Sequence, residues 1–369
     1  MSLSRVICKI DLQVLKENFA QLQKHAKSCA LMPVLKYDAY GLGALEIGSA
    51  LKSAGAKRTA AATLEEAVIL QKIGLPVQIL GLLPDWEISD AVALGVILPV
   101  DSLVTAQKIS AEAVKQQKQV KIAVKLDTGM GRLGLQMPNA LADIEKILNL
   151  PGLVPDSLFS HFATAAQPDL FFASMQLNNF RKIWNALQEK NISFPYRHHA
   201  AGDAILKLPE ATDAPFNLAR PGGMMYGDNF SSTCKQVIEL RTFIGEIREI
   251  PKGGSVGYFR LFIADKPRKA AVLLAGYADG IPLALSNRGH VIIRGHYCPI
   301  IGRISMDYTV VDISDVPDAA VGDEVVLLGK RGDLEVTVAQ WGQLKGTHGH
   351  DIWCAIGHRV KREYCEGER

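Results

Sequence analysis

The chain lacks long hydrophobic runs. No segment of its 369 residues is apolar over the roughly 20 residues that a membrane-spanning helix needs. Met1-Ser2-Leu3-Ser4-Arg5 does not begin an apolar stretch of the signal-peptide kind. The expectation is a soluble, cytoplasmic chain with no membrane partner. Cysteine is scarce and scattered: the six are Cys8, Cys29, Cys234, Cys298, Cys354 and Cys365, with no C-x-x-C pair and no histidine at zinc spacing. That argues against a disulfide framework and against a metal site, and suits reduced thiols. An excess of one charge is lacking too. Lys and Arg total 41 against 38 Asp and Glu, a formal net charge of +3, and no dense basic run occurs, so nucleic acid is not an expected partner. No G-x-G-x-x-G follows the first strand, which weakens the case for a doubly wound open sheet.

What is present is a rhythm. With 48% hydrophobic and 21% charged residues, the chain can bury a large core in one long or two ordinary domains. Residues 6–12 read as a strand and 13–26 as a helix. Apolar runs follow at 30–35, 59–63, 77–82, 96–100, 120–126, 157–162, 196–200 and 216–220. Amphipathic stretches such as 64–73, 102–117, 140–148 and 171–189 lie between them. Roughly eight alternations over about 220 residues predict an α/β fold, a (β/α)8 TIM barrel. Pro33, inside the first run, is a mild objection. After about residue 229 helical periodicity fades. Short β runs at 242–250, 270–275, 290–293, 309–312, 324–328 and 334–338 take over, separated by turn signals such as Pro251-Lys252-Gly253-Gly254. They predict a C-terminal, mostly antiparallel β domain. The expected division is 1–230 for the barrel and 231–369 for the β domain, with the strand at about 6–12 assignable to either.

Lys36 ends the first run, before a small, turn-forming segment. An unpaired ammonium in a strand core is costly and tends to lose its proton. A neutral lysine is the nucleophile that condenses with aldehydes. The position equally suits a lysine that snorkels from a strand end. In barrels, functional side chains gather at the C-terminal ends of strands. There the sequence places Lys36, then Lys125-Leu126-Asp127-Thr128-Gly129-Met130-Gly131-Arg132, then Ser160-His161-Phe162, then Arg220-Pro221-Gly222-Gly223. Each alone is ordinary, since an arginine before Pro-Gly usually caps and a lone histidine is usually structural. Four polar sites on one rim are hard to assign to solvent contact.

Four blocks go further: 34–43, 125–134, 220–227, and Gly276-Tyr277-Ala278-Asp279-Gly280 with Gly302-Arg303-Ile304-Ser305-Met306-Asp307. In these blocks and their order the chain resembles the alanine racemases, isomerases that use pyridoxal 5'-phosphate on an eight-stranded barrel with a C-terminal β domain. The resemblance implies that Lys36 carries the cofactor. It puts Tyr40, Gly202, Gly222, Gly223 and His350 around the phosphate and Arg220 at the pyridine nitrogen. A guanidinium can only donate, so that nitrogen would stay unprotonated and the cofactor would be a weaker electron sink. This favours proton exchange at Cα over transamination. Lys36 and Tyr258 would be the two bases, with His161 and Arg220 polarising Tyr258. Arg132 and Met306 would bind the substrate carboxylate and the cofactor's phenolate oxygen. Lys125 matches a lysine often carbamylated in the family, an anion that orients Arg132. The family forms head-to-tail homodimers in which Tyr258 reaches the partner's site, and supplies D-alanine for peptidoglycan.

The chain departs from the family around the pocket and its gate. Leu42 stands for a histidine, Tyr37 for a small residue, and Ala201-Gly202 for an Asn-Ser pair. His350 stands for a tyrosine and Phe259 for a glycine. In the gate, formed with Tyr277 and Arg303, Ala166 replaces an acid and Leu283 a base. Losing both members of a charge pair leaves an apolar lining, whereas losing one strands a charge. The expected function is L/D-alanine racemisation. The alternatives are a racemase of broader or different specificity, for serine or basic amino acids, and a decarboxylase on the same barrel. The Tyr258 context and Met306-Asp307 speak against the decarboxylase. A non-catalytic cofactor-binding or regulatory protein is the remaining alternative, motivated by His350 and Ala201 but opposed, for a single-domain barrel, by the residues after about 230.

Overall fold

The structure, a computed structural model, describes residues 4–227 and 233–367. The chain opens with β1 (Ile7–Asp11) and α1 (Leu12–His25). Its contacts divide it into two units. One holds the chain up to Asn18, Tyr40–Gly43, and everything from Met225; the other holds Phe19–Ala39 and Ala44–Met224. The expected boundary at 230/231 lies outside the described residues.

The second of these is the barrel unit. Its strands are β2 (Ala30–Leu31), β3 (Thr59–Ala61), β4 (Val77–Ile79), β5 (Leu98–Val100), β6 (Val120–Asp127) with the short β7 (Leu135–Gln136) beside it, β8 (Leu153–Phe159), β9 (Tyr196–His198) and β10 (Leu218–Ala219). Parallel ladders join β3 to β4, β10 to β2, and β5, β6, β8 and β9 in that order. Parallel bridges Val34↔Ala60, Gln78↔Ile97 and Ala201↔Arg220 link these pieces into a closed ring. Parallel neighbours require crossovers. After the aberrant turn α2 (Lys36–Gly41), helices α3 (Ala44–Ser53), α4 (Leu64–Gln71), α5 (Ile88–Leu94), α6 (Leu103–Lys115), α7 (Ala140–Leu148), α8 (Phe171–Glu189) and α9 (Gly202–Lys207) accompany the strands. Strands buried on both faces read as continuous apolar runs rather than alternations, and β3, β4 and β5 are buried at every residue. Met32, Val34, Ala60 and Leu218 form one core cluster, and Ile97, Ala123 and Phe159 another.

Two strands depart from the sequence-based expectation, both at prolines. Pro33 has no N–H to give the ladder. The regular strand ends at Leu31, but Met32 N–H still donates to the Ala219 carbonyl (2.8 Å) and Val34 N–H to that of Pro221 (2.9 Å), and the Pro33 carbonyl accepts from Ala60 N–H at 2.9 Å. The run expected at 157–162 in fact begins at Leu153. Ile122 faces Pro155 but Ala123 faces Ser157, so Asp156 is an extra, bulged residue. The bulge turns the Asp156 carboxylate to the buried Arg58, whose Nη2 donates at 2.7 Å.

The other unit is built on a nine-stranded sheet. β1 lies between β11 (Ile238–Ile250), to which it runs antiparallel, and Lys361–Cys365, to which it runs parallel. The ladders of β11 with Arg268–Leu273 and Glu324–Arg331 are antiparallel, as is that of Arg268–Leu273 with Thr309–Asp312. The helices α10 (Val338–Lys345), closed by a Thr337/Gln340 capping box, and α11 (Gly349–Cys354) precede the last strand.

Candidate active site

Lys36 stands where the first barrel strand ends. Leu35 is fully buried and Lys36 is exposed, so the cost of burying an ammonium does not single it out. What does is the backbone after it. Tyr37, Asp38, Ala39 and Tyr40 have φ of 51°, 50°, 53° and 61°, and Gly41 has 82°. This is a left-handed helical turn in which only the last residue is glycine. Each L-residue in that conformation costs about 1–2 kcal/mol, so neighbours must hold it. Within the barrel unit, Tyr37 N–H donates to Glu66 Oε1 at 2.6 Å and Ala44 N–H to Asp38 Oδ1 at 2.7 Å. Within the other unit, Arg362 donates twice to the Gly41 carbonyl, at 3.1 and 2.9 Å, and Tyr364 Oη to the Leu42 carbonyl at 3.0 Å.

Arg220 follows β10 and is 3% exposed. Its Nη2 donates to the carbonyls of Ser160 (2.6 Å) and His199 (3.2 Å), and its Nη1 to the His198 carbonyl at 3.1 Å. Nη1 also meets His198 Nδ1, and Nη2 lies 3.3 Å from His161 Nδ1. Burial alone pushes the guanidinium down to about 9, which still leaves it charged at neutral pH. Burial, then Arg220, Arg132, Lys125 and Lys36, push His161 down to about 3, so it is neutral. A guanidinium can only donate, so His161 Nδ1 accepts and the ring proton sits on Nε2.

The buried lysine is Lys125, on β6, at 8% exposure. Burial, followed by Arg220 and Arg132, brings it down to about 8; Asp101 and Asp127 oppose this with smaller effects. Arg132 is exposed on the loop after β6, where Asp127 Oδ1 accepts from the N–H groups of Gly129 and Gly131, both at 3.0 Å. The structure thus brings Lys36, Lys125, Arg132, His161 and Arg220 within electrostatic reach of one another. Positive charge dominates; of the two carboxylates acting on Lys125, Asp101 accepts from Thr105 Oγ1 and Asp127 from its own loop. Such a donor set calls for anions, and fits a phosphate-bearing cofactor and a carboxylate substrate. The glycines fit as well. Gly202 opens α9 behind Ala201, which has no side-chain oxygen to cap the first-turn N–H groups, and Gly223 opens a 3-10 turn. Ala166 lies in the loop after β8, its carbonyl accepting from Lys207 Nζ at 2.8 Å.

Gly222, beside Gly223, is in the barrel unit as well; the remaining expected site residues belong to the other unit. Tyr40 is 6% exposed; its ring centroid lies 5.5 Å from Tyr226 and 5.3 Å from His350, and His350 stacks on Trp353 at 5.7 Å. Tyr258 opens a 3-10 turn, Tyr258–Arg260, and is 66% exposed. Gly257 (φ 71°) sets that turn, and a Cβ there would lie 3.0 Å from the Arg303 carbonyl. A Cβ on Gly302 (φ 75°) would lie 2.6 Å from the Val256 carbonyl. The loops bearing Tyr258 and Arg303 are therefore closed on each other at a spacing only glycine allows. Tyr277 N–H donates to the Ser305 carbonyl at 2.9 Å and Ala278 N–H to that of Met306 at 3.1 Å. Leu283 opens a 3-10 turn of its own nearby in sequence.

Sequence reasoning missed the residues behind these groups. Arg359 donates to Asp279 through Nε (2.7 Å) and Nη2 (2.9 Å) and to Asp307 through Nη1 (2.7 Å), tying the loop of Tyr277 to that of Met306. Gln176 sits in the apolar stripe of α8, a polar residue where the helical period calls for an apolar one. That mismatch was visible in the sequence.

The comparisons with known proteins follow the same lines. The profile of the alanine racemase N-terminal domain matches residues 10–230, and that of the C-terminal domain residues 237–364. The alanine racemase of Clostridium tetani is 36% identical over 370 residues, covering 97% of this chain and 95% of its own. A solved alanine racemase of Clostridium difficile 630 superposes with a TM-score of 0.92 at 29% identity, covering 99% of this chain and 97% of that one. One from Bartonella henselae, solved with covalently bound pyridoxal phosphate, gives 0.88 at 28% identity, with 98% and 100% covered. The chain belongs to the alanine racemase family.

Proposed function

We propose that this member of the alanine racemase family interconverts L- and D-alanine with pyridoxal 5'-phosphate as cofactor. Lys36 would carry the cofactor, Tyr40, Gly202, Gly222, Gly223 and His350 would hold its phosphate, and Arg220 would face its ring nitrogen. When bound, the cofactor makes the Cα proton of an attached amino acid acidic. Lys36 Nζ, a free amine while a substrate amine takes its place on the cofactor, would take or return that proton on one face, and the Tyr258 phenol on the other. His161, neutral and fixed as the Nε2–H tautomer by Arg220, gives Tyr258 a polarising donor. Arg132 and the backbone at Met306 orient the carboxylate. The observation that carries the proposal is Arg220, a buried cation held by carbonyls and imidazoles, with no carboxylate among these contacts. Such a group donates a hydrogen bond to a ring nitrogen without surrendering a proton.

Lys125 supports a further step. A lysine near 8 keeps a sizeable neutral fraction at physiological pH. Its free pair can attack CO2, forming an N–C bond and releasing a proton, and the carbamate anion would pair with Arg132. Density at the lysine tip tests this. Tyr258 (66%), Phe259 (78%), Leu261 (49%) and Ile263 (55%) are exposed in one short stretch. An apolar stretch beside a base favours a head-to-tail homodimer that covers it. Six free cysteines, and no helix among the described residues long and apolar enough to cross a membrane, suit the cytoplasm.

The test is L-alanine in D2O with the cofactor-loaded protein. The expected result is deuterium at Cα together with D-alanine; no exchange overturns the proposal. A second reading, relaxed specificity, rests on Ala166, Leu283 and His350. Strict preference for alanine over serine, lysine and arginine removes it.

A further inference from the structure

The amide of Gln176, fully buried on α8, bridges two catalytic loops. Its Oε1 accepts from Ala163 N–H at 2.9 Å, and its Nε2 donates to the His161 carbonyl at 3.0 Å. The same Nε2 lies 3.5 Å from Thr128 Oγ1. One turn on, Asn179 Nδ2 donates to the Thr128 carbonyl at 3.1 Å. Thr128 Oγ1 shares a 2.8 Å bond with Ser160 Oγ, which itself donates to the Leu126 carbonyl at 2.8 Å. Gly129 (φ 136°) lies against the Gln176 stem, where a Cβ would come 3.4 Å from Cγ. The loop after β6 carries Arg132, and the loop after β8 carries His161. One side chain therefore sets both loops, and Ser160, the residue between them, offers its carbonyl to Arg220.

We infer that Gln176 is a positioning residue for racemisation: by pairing with His161 C=O and Ala163 N–H it fixes the His161 ring against Arg220, and through Nε2 to Thr128 Oγ1 it ties that loop to the one that carries Arg132. The inference rests on the proposed function and assigns it a residue that touches neither substrate nor cofactor. A buried polar side chain in an apolar stripe costs free energy unless it is fully bonded, and here every bond goes to a site-bearing loop. Leucine at this position would serve the core equally well and leave two backbone groups unpaired.

The experiment compares Gln176→Leu and Gln176→Glu with the parent holoenzyme, measuring kcat, KM for alanine, the pH dependence of kcat/KM, and thermal stability. For Gln176→Leu the expected result is a fall of about tenfold or more in kcat/KM. The acid limb should also move up in pH, because a loosened His161 escapes the burial and the Arg220, Arg132, Lys125 and Lys36 charges that keep it neutral. Gln176→Glu keeps the acceptor for Ala163 and loses the donor for His161 until its carboxyl is protonated. Its activity should therefore recover relative to the parent as pH falls. Unchanged kcat, KM and pH profile in Gln176→Leu, even with a lower melting temperature, overturns the inference. If Gln176→Leu does not fold, a parent-like profile for Gln176→Glu overturns it instead. A parent protein that exchanges no Cα proton defeats the proposed function, a failure separate from this one.

Discussion

The two units hold the residues of the proposed site in opposite ways. In the barrel unit the key cation, Arg220, is 3% exposed and wedged among backbone carbonyls. In the other unit the key phenol, Tyr258, is 66% exposed on a turn fixed by Gly257 and Gly302. The first group is placed by burial, the second by backbone shape. A buried polar group cannot be removed without leaving its partners unsatisfied, whereas an exposed one usually leaves stability within about 0.5 kcal/mol. On the proposed roles, function and stability are fused at Arg220 and separable at Tyr258.

The sharpest way to break this contrast is to remove one base from each unit. Lys36→Ala should lower racemisation by on the order of 10³-fold or more, and Tyr258→Phe by about 10²–10⁴-fold. Tyr258→Phe should unfold in urea at the parent midpoint; a lowered midpoint would show that the phenol is structural. Next in size is Arg220→Gln. It leaves the carbonyls of Ser160, His198 and His199 short of donors, at about 1–3 kcal/mol each, so a loss of about 3 kcal/mol or more is expected from denaturant titration. A fully stable Arg220→Gln would dissolve the distinction between the units.

A smaller effect follows from pH. His161 is pushed down to about 3, and His198 and His199 are also lowered, burial being the first cause in each. The unfolded chain takes up these protons near 6.5, whereas folded His161 resists until about pH 3 and folded His198 and His199 resist well below 6.5 too. Stability is therefore complete above 6.5 and is lost as pH falls through that window. His161→Asn should flatten part of that decline in melting temperature, and an unchanged slope would sink the assignment. The smallest expected change is Gly257→Ala. At φ 71° a side chain costs about 1 kcal/mol or more, and displacement of Tyr258 should lower kcat by more than the stability loss alone accounts for. Parent kcat would show that the turn tolerates a Cβ.

The barrel was largely legible in the sequence because period and composition agree there. α7 and α8 fall at the expected 140–148 and 171–189, and the polar rim follows the strand ends. The family resemblance supplied expectations that periodicity could not, namely those for Tyr258, Met306 and the gate. Three features stayed hidden for physical reasons. The left-handed turn at Tyr37–Gly41 contradicts local preference and exists through Glu66, Arg362 and Tyr364, all distant in sequence. The bulge at Asp156 disguises a strand as a Pro-Asp turn. Lys36 was singled out by an argument from burial that belongs to Lys125, because the depth of a strand end is set by loops that no local pattern describes.

The crowd of cations around Arg220 has one more consequence. Lys125 and Arg220 are buried and repel each other where water screens poorly, with the exposed Lys36 and Arg132 adding to the same field. Any dianion that settles there relieves it, and the folded state gains by RT ln(1 + [L]/Kd).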